Sequence, residues 1–115
     1  MNRQDERLAE ILKREIGQIL EEEIDILPGT LVSITDIKVE PKTKTTTIKY
    51  SVYPDANKKI IFKNIRKNQR AIFQRLKSRI KVKYLPELKF QFDEGFAIAA
   101  EVESLLDADK MKHET

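Results

Sequence analysis

The sequence predicts a two-layer α+β domain, with helices covering one face of a small three-stranded sheet. Three observations carry this expectation. Apolar residues in Arg3–Glu23 recur at three- and four-residue steps, the period of an amphipathic helix. Leu31–Val39 and Thr46–Tyr53 alternate with period two, and a short hydrophilic connection separates them. From Lys58 to Ile80 the period is again helical, and an alternating stretch, Leu88–Asp93, follows. At 115 residues and 40% apolar composition, one domain with its own core is expected.

In Arg3–Glu23 the apolar stripe is Leu8, Ile11, Leu12, Ile16, Ile19 and Leu20, with charge on the other face. Gly17 interrupts this helix, and close packing against a neighbour is its expected reason. Pro28-Gly29 marks a turn. In the first strand Val32 and Ile34 point one way, and the alternation resumes out of step at Ile37 and Val39. A one-residue slip at Thr35-Asp36 therefore predicts a β-bulge, because an uncorrected slip would turn half the strand inside out. Pro41–Lys44 is short enough to make an antiparallel hairpin with the second strand, whose Ile48, Tyr50 and Val52 face inward. Pro54-Asp55-Ala56-Asn57 breaks that strand and can start a helix.

The stretch Lys58–Ile80 holds two apolar patches, Ile61-Phe62-Ile65 and Ile72-Phe73-Leu76-Ile80, with Asn68-Gln69 between them. Asn is a favoured helix N-cap, so two helices meeting near Asn68 are expected; one continuous helix is the competing reading. In the third strand Leu88, Phe90 and Phe92 face inward. Glu101–Leu106 reads as a short final helix, and residues 107–115 as a polar, mobile tail.

Charge is strongly segregated. No acidic residue occurs between Asp55 and Glu87. That stretch holds eleven cations: Lys58, Lys59, Lys63, Arg66, Lys67, Arg70, Arg75, Lys77, Arg79, Lys81 and Lys83. They are half of the chain's 22 basic residues, and with a net charge of +3 the remainder sums to −8. A solvated helix face ordinarily mixes signs; a single-signed one is the footprint of a polyanion partner. Arg70, Lys77 and Lys81 share one side at helical spacing, and Lys63, Arg66 and Lys67 extend it across the Asn68 junction. The aromatics Phe62, Phe73, Phe90 and Phe92 fall at core positions, so contacts to phosphates and helical RNA shape are favoured over base stacking on an exposed sheet.

Several chemistries find no support. The chain has no Cys, hence no thiolate ligand or nucleophile. The one His, His113, lies in the tail. Glu21, Glu22, Glu23 and Asp25 are consecutive or nearly so, and consecutive helical residues diverge rather than converge on a metal; a solvated helix end is expected. With three glycines there is no Gly-rich phosphate loop. No catalytic residue, metal, cofactor or small-molecule substrate is expected. The start MNRQDERLAE lacks the apolar core of a secretory signal. No run approaches the ~20 apolar residues that span a bilayer, so a soluble cytoplasmic protein without a membrane partner is expected. A basic helix lying on a membrane surface is a minor alternative.

The segment LKSRIKVKYLPELKFQFDEG, Leu76–Gly95, resembles the C-terminal half of bacterial ribosome-binding factor A. The pattern rests on Leu76, Arg79, Lys83, Tyr84, Pro86, Leu88, Phe90, Phe92 and Asp93. Upstream, KREIGQIL resembles that family's first helix, LVSITDIKVEP its bulged first strand, and TIKYSVYP its second. The resemblance implies a type II KH-like fold over residues 1–106, in the order helix-strand-strand-helix-helix-strand on a mixed sheet. It implies a monomeric, non-enzymatic factor that binds the small ribosomal subunit and its rRNA during late maturation. Where that family carries an Ala-x-Gly kink, this chain has Asn68, Gln69 and Arg70, so an Asn-capped break and an Arg70 phosphate contact are expected there. The eleven cations and Asn68 together form the expected RNA-binding set. A general KH-like RNA-binding module is the alternative, and an adaptor using the acidic first helix is a third class.

Overall fold

A computed structural model describes residues 3–82 and 85–95. Its elements are helix α1 (Arg3–Glu23), strands β1 (Leu31–Glu40) and β2 (Thr45–Tyr53), a 3-10 turn (Asp55–Asn57), helix α2 (Lys58–Arg79) and strand β3 (Glu87–Phe92). The sheet order is β1-β2-β3. β2 pairs antiparallel with β1 and parallel with β3. A parallel neighbour requires a crossover, and α2 supplies it. The expected final helix and tail lie outside the described residues, as do Lys83 and Tyr84.

The turns follow their residue types. Thr30 donates its amide to the Leu27 carbonyl at 3.0 Å, closing a turn whose third residue, Gly29, has φ +80°. Pro followed by a positive-φ Gly is the type II signature. In β1, Ile34 pairs with Tyr50 and Asp36 with Lys49, leaving Thr35 as the extra residue of the expected bulge. The bulge keeps Val32 and Ile34 on the same face as Ile37 and Val39. Thr35 donates from its hydroxyl to Asp93 Oδ2 at 2.7 Å, and the Asp93 amide donates to the Tyr50 carbonyl at 2.8 Å. The bulge is thus tied across β2 to the end of β3.

Both helices cover one face of the sheet. The core joins Leu12, Ile16, Ile19 and Leu20 of α1 and Ile61, Ile65, Ile72 and Leu76 of α2 to Ile48, Tyr50 and Val52 of β2. Leu88 of β3 closes it at one edge. Tyr50 is fully buried and meets Phe92 edge-on, with centroids 5.8 Å apart.

Three expectations need correction. The helix break at Asn68 does not exist: α2 runs unbroken from Lys58 to Arg79. Asn68 donates its side-chain amide back to the Asn64 carbonyl at 2.9 Å, an i−4 bond that a helix accommodates, so it serves the turn behind it rather than capping the one ahead. Neighbours hold the helix on both sides. Asn64 donates to the Asp25 carbonyl at 3.0 Å, and Gln69 to the Leu88 carbonyl at 2.9 Å. Gly17 is not a close-packing position, since a Cβ built there meets no atom of the described residues within 4 Å. Phe62 is not in the core; it is 42% exposed.

Candidate nucleic-acid interface

An uninterrupted α2 sets where the cations of the acid-free stretch fall. Ile61, Ile65, Ile72 and Leu76 point into the core. The opposite side carries Lys59, Lys63, Arg66, Arg70 and Lys77 at steps of three, four or seven, with Lys67 beside them; all six are exposed. Gln74 fills the step between Arg70 and Lys77, and α2 contains no acidic residue. From Lys59 to Lys77 the row is about 27 Å long at the helical rise. It is a cationic rail on an unbroken helix anchored by four fully buried side chains.

The other expected residues go elsewhere. Arg75 and Arg79 turn toward α1. Arg75 bonds Glu22 at 2.6 Å and pairs with Glu23. Arg79 bonds Glu22 as well and lies 3.7 Å from Glu15. The Glu22-Glu23 end of α1 is therefore not simply solvated; it receives two guanidinium groups. This also suits α1, whose last turn has no basic residue of its own, because cations near a helix C-terminus offset its partial negative charge. Lys58 sits 3.7 Å from Asp55 and 5.4 Å from the Phe92 ring centroid. Asn68 is partly buried in its bond to Asn64. Lys81 is exposed beyond Ile80, where the chain leaves the helix for extended geometry.

The structure thus groups six of the twelve expected residues on one face and assigns Arg75, Arg79 and Asn68 to internal bonds. One residue that sequence reasoning placed in the core belongs beside the rail: Phe62, whose ring lies 5.8 Å from the Arg66 guanidinium carbon. Among the described residues no group of three His, Cys, Asp or Glu could hold a metal ion. Among them, too, no helix is long and apolar enough to cross a membrane. Such a surface can bind anions in a row, with each Lys or Arg releasing a counterion as it meets a phosphate.

Known proteins resemble this chain over most of its length. A family profile described as Ribosome-binding factor A matches residues 4–106. The chain is 31% identical over 108 residues to ribosome-binding factor A of Novosphingobium aromaticivorans, covering 93% of this chain and 76% of that one. It is 31% identical over 110 residues to ribosome-binding factor A of Halothermothrix orenii, covering 95% and 90%. The crystal structure of ribosome-binding factor A from Thermus thermophilus superposes with a TM-score of 0.63 at 13% identity, over 76% of this chain and 93% of that one. The shared architecture is the expected KH-like one. With the profile spanning nearly the whole chain and relatives at this identity, the chain belongs to the ribosome-binding factor A family.

Proposed function

We propose that this protein is a non-enzymatic assembly factor that binds the small ribosomal subunit during late maturation. The rail of Lys59, Lys63, Arg66, Lys67, Arg70 and Lys77 carries this reading, with the family supplying the ribosome as the partner. The rail lies against successive phosphates of folded rRNA. Because α2 is rigid and unbroken, the RNA must conform to it. Binding then favours the one rRNA arrangement whose phosphates match the rail, since a ligand shifts an equilibrium only through differential affinity. The protein acts as a cytoplasmic monomer and needs no cofactor for this.

Sedimentation of cell extract tests the proposal. The protein should co-sediment with free small subunits and be absent from translating ribosomes. An even spread through the gradient would favour a general RNA-binding module, and absence from every ribosomal fraction would reject both.

A further inference from the structure

Phe62 lies between two fully buried residues of the same helix, Ile61 and Ile65, yet is itself 42% exposed. Arg66, one turn along, holds its guanidinium carbon 5.8 Å from the ring centroid. Lys59, Lys63 and Arg70 stand within about two turns of this pair, on a helix without acidic residues. Phe92 offers a contrast. Its ring already carries Lys58 on one side and the Tyr50 edge on another, and it is only partly exposed. Among the described residues of α2, Phe62 is the exposed aromatic beside the rail. Flat aromatic rings and guanidinium planes are the surfaces on which unstacked nucleobases rest.

We propose that Phe62 and Arg66 form a stacking site for one unpaired RNA base, while Lys59, Lys63 and Arg70 hold the phosphates flanking it. This rests on the reading that the α2 rail binds RNA. A base inside a duplex presents no free face, so only a nucleotide splayed from its helix can occupy the site. Every base has a π-face, so the site reads whether a nucleotide is unpaired and not which base it bears. The rail would then recognise a duplex interrupted at one point rather than a uniform one.

Three RNA hairpins of equal length test this: one fully paired, one with a single unpaired adenosine, and one with an abasic nucleotide at that bulge. The adenosine bulge should bind more tightly than the abasic bulge by roughly five- to 150-fold, the range of one base–aromatic stack. Phe62→Leu keeps apolar packing but lacks a ring, and should bring that ratio close to one. Phe62→Tyr should keep it. Lys63→Gln should weaken both bulged RNAs alike and preserve the ratio. A wild-type ratio of one, or a ratio that survives Phe62→Leu, overturns the stacking site. Absence of binding to all three RNAs at low salt would instead overturn the rail reading, and the stacking site with it.

Discussion

Replacing Lys63, Arg70 and Lys77 together by Gln should halve the salt dependence of RNA binding. The magnitude follows from which cations the structure leaves available. Each neutralised phosphate contributes about 0.7–0.9 to the slope of log affinity against log salt. Six rail cations therefore give a slope of about −4 to −5. The triple variant retains three of them and should give about −2 to −3. If all eleven cations of the acid-free stretch took part, the wild-type slope would instead be about −8 to −10. Fluorescence anisotropy with a labelled rRNA fragment, titrated across KCl concentrations, distinguishes these cases. Arg79→Gln is the internal control. Its guanidinium bonds Glu22 and lies near Glu15, so its loss should leave the slope within about half a unit of wild type. A steep slope near the eleven-cation value would refute the assignment of Arg75 and Arg79 to the fold. So would an Arg79→Gln effect equal to that of Arg70→Gln.

Three further outcomes concern stability. Glu22→Gln removes the carboxylate shared by Arg75 and Arg79; since that carboxylate is half-exposed, urea unfolding should show a loss of about 0.5–1 kcal/mol that shrinks with added salt. Gly17→Ala meets open space and should raise stability by about 0.5–1 kcal/mol, measured the same way; a loss would mean the helix is constrained there by something besides propensity. Burial pushes the Tyr50 phenol above its usual value. A phenol raised in the folded state contributes fully below about pH 10, and that contribution is lost as pH rises through the folded value. Tyr50→Phe should flatten the alkaline loss. It should also add about 1 kcal/mol near neutrality, because the buried Tyr50 hydroxyl has no hydrogen-bond partner among the described residues. A variant less stable than its parent at pH 7 would show that the hydroxyl is satisfied.

What the sequence reveals is mostly what local rules decide. The turn at Pro28-Gly29 and the bulge at Thr35 follow from residue type and parity, and both are present. The hairpin follows from its short connection. Continuity at Asn68 is different, because Asn can either cap the next turn or bond back to the previous one. Two long-range bonds, Asn64 to Asp25 and Gln69 to Leu88, favour the unbroken helix. Phe62 shows a similar limit. Apolar spacing assigns a stripe, but the way α2 lies on the sheet selects Ile61 and Ile65 from it and leaves the ring outside. The arginine pairs with α1 had a partial signal. Glu15 and Glu22 lie seven residues apart and Arg75 and Arg79 four, so each couple shares a helix face. That the two faces meet depends on the packing of the helices.

The carboxylates of α1 have an effect beyond the ion pairs they form. By occupying Arg75 and Arg79, they leave α2 with an electrostatic front and a quiet back. A helix cationic all round would approach a polyanion equally well in any rotation about its axis, and most encounters would be unproductive. A one-sided field turns the molecule during its approach, before any contact is made. If the rail binds RNA as proposed, the internal pairs act on the association rate, through the fraction of collisions that arrive facing the right way.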